Sequence, residues 1–172
     1  RKQDHETLSN QLLSMGDTMF VETMSFKGLQ KRSKKTEKNE KGRFKKKKRF
    51  GRTLSNRAPA MLVSCLERKL KYHGLKLKKV NTAKVKASQY NHFDDTYTKK
   101  PLNKRWNDFN GIIVQRDLYS SFLLMNMVHD KDLDKIDREL CFKTFDLFLQ
   151  HHDELISKLK KEPHTLKSMG IR

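Results

Sequence analysis

The sequence predicts an α/β domain, on three observations. Residues 18–24, TMFVETM, make a short apolar, β-branched stretch that reads as a buried strand. Residues 55–74, SNRAPAMLVSCLERKLKYHG, make the clearest helix in the chain. Residues 75–80, LKLKKV, follow as a second strand with Leu75 and Leu77 on one side. A strand, then a helix, then another strand is the grammar of an α/β domain.

The remaining elements are read in chain order. Residues 3–15 place Leu8, Leu12 and Met15 at spacings of four and three, the period of a helix, before Gly16 and Asp17 break it. In the 55–74 helix, Ser55 or Asn56 is the expected cap and Pro59 suits the first turn. Ala58, Met61, Leu62, Cys65, Leu66 and Leu70 form one apolar face, and Gly74 is the stop. Residues 91–110 lose all periodicity and read as a loop or small excursion. GIIV, 111–114, is an apolar entry to a helix that runs from about Asp117 through Leu118, Phe122, Leu123 and Met125. A last helix, 132–160, turns Leu133, Ile136, Leu140, Phe145, Phe148 and Leu149 toward one face, with Pro163 beyond its end. Such a stripe either packs within the chain, the commoner outcome, or docks a partner.

Charge sets the partner class. Lys and Arg number 39 against 20 Asp and Glu, a formal charge of +19, and so much like charge repels itself unless a polyanion neutralises it. DNA or RNA is therefore the expected partner. Residues 31–52 hold 13 Lys or Arg against two Glu, too polar to bury, and read as a basic flexible excursion. Lys45, Lys46, Lys47, Lys48 and Arg49 are the leading phosphate contacts, flanked by Phe44 and Phe50, which either stack on bases or anchor the loop. Arg52, Arg57, Lys84 and Arg116 are further candidates, and Arg116 is equally placed to pair with an acidic neighbour.

At 172 residues, 35% of them hydrophobic, the chain is long enough for one cored domain with solvated parts. It contains no apolar run of the roughly 18 residues that span a bilayer, so no membrane partner is expected. Cys65 and Cys141 lie in apolar contexts, the usage of a reducing compartment. The chain opens with neither an initiator Met nor an apolar leader, and is expected to be a fragment or a processed piece.

Two carboxylates stand out. Glu22 sits amid Met19, Phe20, Val21 and Met24, where an unpaired charge is costly unless a cation or hydrogen bonds compensate it. Asp117 stands where a β-branched run gives way to a helix, and its commonest role there is an N-cap.

In this order the segments FVETMSF, NRAPAMLVSCLERKLKYHGLKLKKVNTAKVKASQ and QRDLYSSF resemble the C-terminal half of the RuvC-type nuclease domain of TnpB proteins. These are RNA-guided DNA nucleases encoded by insertion sequences. The likeness covers roughly residues 5–128. It implies a partial RNase H-like (RuvC) nuclease domain with a basic loop and an added C-terminal helical tail. Residues 1–30 and 53–90 then each hold a helix and a strand of that domain, and 91–110 hold a degenerate zinc-ribbon-like insert. Residues 111–128 hold the last catalytic motif, and 129–172 form the tail. The resemblance also implies a guide RNA and a cytoplasmic, nucleoid-associated protein of a prokaryote.

It further implies that Glu22 and Asp117 are catalytic carboxylates holding Mg²⁺, hard oxygen ligands for a hard ion. Two such ions about 4 Å apart activate water and stabilise the leaving oxygen. The Asp117 carboxylate can cap and coordinate at once. The family's remaining Asp lies on an upstream strand, so the site is incomplete in this chain alone. The missing carboxylate lies upstream if the chain is a piece. If it is whole, it is a nuclease remnant that still binds nucleic acid. Where the family has zinc-ribbon cysteines, this chain has Asn91, Asp94, Asn107 and Asn110, which do not hold zinc as thiolates do. No structural zinc is expected. His92 and Asp94 are read as surface-loop residues, and Trp106, Phe109 and Tyr97 as the packing that holds the insert. At the last motif Gln115, Tyr119, Ser120 and Ser121 depart from the family's Asp, Asn and Ala pair.

Overall fold

The computed structural model describes residues 1–30, 36–44, 51–101, 103–163 and 166–171, with the side chains of residues 51 and 52 left aside. Lys45, Lys46, Lys47, Lys48, Arg49 and Phe50 lie outside the described residues, as does the side chain of Arg52. The chain divides into two units, residues 1–19 with 23–78 and residues 20–22 with 79–172.

In the first unit α1 (Lys2–Met15) packs along α4 (Pro59–Tyr72). Glu6 ties the pair by ion pairs to Arg68 and to Lys69, the latter at 2.9 Å. Lys69 foremost, then Arg68, holds the Glu6 carboxyl down at about 2. Cys65, Leu66 and Leu70 are the buried face of α4.

The expected 55–74 helix is in fact two. A short α3 (Gly51–Arg57) ends at Ala58, which takes a left-handed φ of 44°, and α4 begins at Pro59 without a side-chain cap. Proline lacks an N–H and keeps the residue before it out of the right-handed helical region, so Pro59 begins a helix and ends the preceding one. The far end falls at the expected stop. Gly74, at φ 71°, donates to the Lys71 carbonyl while Leu75 N–H reaches Leu70 O, the paired bonds of a Schellman cap.

A five-residue α2 (Phe26–Gln30) precedes the basic segment. Within that segment Asn39 accepts from the N–H groups of Lys41 and Arg43, and Lys38 bridges Phe44 across a turn through Gly42. Within the segment expected as a basic flexible excursion, 31–52, residues 38–44 therefore form a local turn, and α3 begins at Gly51.

The strands are shorter than the sequence suggests. β1 (Phe20–Glu22) pairs with β2 (Lys78–Val80), and Leu75 and Leu77 precede the second strand instead of forming it. A four-residue α5 (Thr82–Val85) follows, capped by Asn81, which accepts from Lys84 N–H.

Residues expected as a loop form most of two antiparallel hairpins. β3 (Tyr90–Asn91) pairs with β4 (Thr96–Tyr97), and β5 (Trp106–Phe109) pairs with β6 (Ile112–Gln115) in the register Trp106 to Gln115 and Phe109 to Ile112. The second turn is Asn110-Gly111, both with positive φ (54° and 95°), the geometry of a type I′ turn whose twist suits a hairpin.

α6 (Arg116–Met125) leaves β6 directly, and α7 (Arg138–Lys161) begins later than the 132–160 reading. Asp137 caps it by accepting from Leu140 N–H at 2.9 Å. The residues before it return as a loop instead, with Met127 bridging Ile136 and Asp130 accepting from Leu133 N–H. A 3₁₀ turn (Lys167–Met169) leads to the buried Ile171. Val80, Val85, Tyr90, Phe109, Val114, Tyr119, Phe122, Leu123 and Phe145 are the heart of this unit's core.

Candidate nucleic-acid and metal site

Glu22 ends β1 and is half-buried. Burial raises its carboxyl above the ordinary range, and no neighbouring charge contributes to that shift. Among the described residues it forms no hydrogen bond or ion pair, so its ionised form lacks the compensation that a buried charge needs.

Asp117 lies in the first turn of α6, with its side chain about half exposed. It is not the cap. Gln115 is, and its Oε1 accepts from the N–H groups of Asp117 (2.7 Å) and Leu118 (2.8 Å). The other end of the same amide donates from Nε2 to Asp117 Oδ2 at 3.1 Å and to Met169 O at 3.2 Å. Glutamine wins the cap because β6 delivers it in extended conformation, φ −70° and ψ 128°, directly at the helix start. Its own N–H donates to His152 Nε2 at 2.9 Å, which leaves the proton of that buried imidazole on Nδ1, facing Asp153 Oδ1 at 2.8 Å.

β1 and α6 are in contact, so the elements carrying the two carboxylates are neighbours. The chemistry of the donor set is another matter. Two carboxylates, one of them already accepting from Gln115, fall short of a centre for two hard cations, and among the described residues no three His, Cys, Asp or Glu gather as metal ligands. Glu22 and Asp117 by themselves do not make up such a centre.

The cationic candidates fare differently from one another. Arg57, at the end of α3, is exposed. Lys84 reaches Asp134 at 2.7 Å with its side chain 59% exposed, and that hydrogen bond raises its pKa. Arg116, by contrast, keeps only 9% of its side chain exposed, with Nη1 on Pro101 O at 3.3 Å and Nε 3.7 Å from Asp117 Oδ1. That last distance is ion-pair reach but too long for a hydrogen bond, and the buried Nε has no hydrogen-bond partner among the described residues. The pairing alternative describes Arg116 better than a surface phosphate contact does.

The insert is anchored otherwise than expected. His92 is fully buried, not a surface-loop residue, inside a ring of Phe93, Phe122, Phe142 and Phe145. Tyr119 Oη accepts from His92 N–H at 3.2 Å and lies 2.7 Å from Nδ1. Burial, and secondarily the Arg138 charge, press the imidazole down to about 4. Arg138 in turn donates to the carbonyls of His92 and Phe93, both at 2.6 Å. Asp94 is exposed and serves its own turn, accepting from Thr96 Oγ1 at 2.7 Å. At the other zinc-ribbon positions, Asn91 accepts from Phe93 N–H, Asn107 accepts from Lys100 Nζ and Asn110 makes the tight turn. Phe109 is buried in the core and Trp106 donates to Gly170 O, whereas Tyr97 stays largely exposed against Tyr90. Sequence reasoning passed over the signal for the β5–β6 hairpin, an Asn-Gly pair between WNDF and IIVQ.

No family model matches the chain, and neither the curated proteins nor the solved structures contain a match to it.

Proposed function

We propose that this chain binds nucleic acid as the C-terminal part of a TnpB-type RNA-guided DNA endonuclease, with DNA and a guide RNA as its partners. The observation that carries the reading is the charge, 39 Lys and Arg against 20 Asp and Glu, concentrated at 31–52. Phosphates release their counterions when such a surface binds them, so affinity depends steeply on salt.

Glu22 and Asp117 are the residues assigned to Mg²⁺. Support for this comes from the contact between β1 and α6 and from the half-buried state of Glu22, which has no partner among the described residues. Cleavage belongs to the chain joined to its N-terminal half, which supplies the further carboxylate; none is assigned to these residues alone. Bound Mg²⁺ would supply an activated water and a stabilised leaving oxygen. Mg²⁺-dependent DNA cleavage by the full-length gene product is expected to vanish in Glu22→Ala and in Asp117→Ala while DNA binding persists. Full cleavage in both variants refutes the assignment.

A second reading is a binder derived from such a nuclease and without catalysis. The bond from Gln115 Nε2 to Asp117 Oδ2 favours it, because it occupies an oxygen that a metal needs. On this reading the full-length product binds DNA and never cuts it.

A further inference from the structure

Between the two hairpins the chain gathers like charge. Lys100 is half-buried, its Nζ donating to Asn107 Oδ1 at 2.7 Å and standing 5.7 Å from the centre of the Phe109 ring. Asn107, on β5, is itself 2% exposed, so this ammonium is held against the body of the unit and does not trail in solvent. Lys104 is exposed, and its backbone N–H closes a turn onto Pro101 O at 3.1 Å, the carbonyl that also receives Arg116 Nη1. Arg116 joins the group as a buried side chain whose Nε has no hydrogen-bond partner among the described residues.

Crowding of this kind has a measurable consequence at Lys100. Its pKa is lowered, first by burial and then by the charges of Lys104 and Arg116, with Asp94 opposing weakly. Asp117, 3.7 Å from Arg116 Nε, is the acid at the other side. Lys100 fixed on the Asn107 carboxamide and Arg116 fixed on the Pro101 carbonyl, at the turn that carries the exposed Lys104, gather positive charge on one short stretch of a chain already at +19, and an anion relieves it. A carboxylate offers one charge in a plane. A phosphate presents several oxygens around a centre, which suits lysine ammonium groups arriving from two directions.

We propose that Lys100 and Lys104, backed by the buried Arg116, form a phosphate subsite distinct from the basic run at 31–52. Lys104 makes the exposed contact, Lys100 the positioned one, and Arg116 adds field without reaching solvent. The subsite rests on the nucleic-acid reading for the source of its phosphate, a backbone phosphodiester, while free phosphate shares the same chemistry.

Two measurements test it. The first is binding of the chain to a single-stranded DNA 20-mer across a salt series, for the wild type, Lys104→Ala, Lys100→Ala with Lys104→Ala, and Lys143→Ala on α7 as a plain loss of one exposed charge. The expected result is that the double variant lowers the log–log salt slope by about 0.7, one phosphate contact. Lys104→Ala alone lowers it less, and Lys143→Ala leaves it in place. An equal slope in the double variant and in Lys143→Ala overturns the phosphodiester subsite. The second is titration of the wild type with inorganic phosphate, read by NMR at Lys100 Nζ, whose pKa is expected to climb back toward the ordinary lysine value. If the wild type binds no DNA but Lys100 responds to phosphate, the nucleic-acid reading falls and the subsite stands as a free-phosphate site. If neither ligand registers, the subsite itself is overturned.

Discussion

Gln115 and His92 are two of the polar side chains that the second unit buries, and both are fully buried. Gln115 uses its carbonyl on the α6 N-terminus and its amino group on Asp117 and Met169, so one side chain starts a helix and fastens the C-terminal turn. Gln115→Ala removes the cap and is expected to lower stability by about 0.5–2 kcal/mol, read from the denaturant midpoint. His92 makes a pH prediction. Its folded pKa of about 4 lies below the ordinary 6.5, so the unfolded chain binds the proton more readily. The contribution of His92 to stability is therefore complete above about 6.5 and is lost as pH falls toward 4. Melting temperatures taken over that window should fall less steeply for His92→Gln than for the wild type, even though the variant starts lower for want of the Tyr119 pairing. Neither role was legible along the chain. Gln115 was a departure from a motif and His92 a lone histidine among polar residues, because what buries them arrives from α6 and α7.

Helix ends were the most readable elements, since their signals are local. Gly74 acts within one turn of itself, whereas the Asp137 cap was passed over by the 132–160 reading. Ala58 breaks a run whose apolar period continues through it, because the backbone restriction from Pro59 outweighs side-chain pattern. The left-handed conformation costs Ala roughly 1 kcal/mol that Gly does not incur. Ala58→Gly is accordingly expected to stabilise the first unit by about that amount in urea unfolding. Gly111→Ala, at φ 95°, is expected to destabilise by more than about 1 kcal/mol and to speed hydrogen exchange of the β5–β6 amides. The strands themselves were misjudged for a different reason. Each is two to four residues long, too short for alternation to register, and the pairing partner supplies what the pattern lacks.

Taken as one body of charge, the chain should behave as a polyanion binder whose affinity drops by roughly one log unit per tenfold salt for each phosphate neutralised. Competition by heparin and a linear log–log plot check this, and salt-independent binding would contradict it. That expectation needs only composition. The distribution of cations does not follow from composition, because Arg116 is spent inside while Lys84 is paired with Asp134 at the surface. The two carboxylates divide in the same way. Glu22 keeps the half-buried character that its apolar neighbours imply, whereas Asp117 has the Gln115 amide as company, which no reading of QRDLYSSF assigned to it.

By itself the sequence determined the net charge and, for the long helices α1, α4, α6 and α7, their existence and most of their ends, because each depends on residue type or on neighbours within a turn. Only the tertiary structure decided which polar groups are buried, which arginine is withdrawn from solvent, and that 90–115 are hairpins. Those outcomes depend on surfaces contributed by residues tens of positions away, and a one-dimensional period carries no record of them.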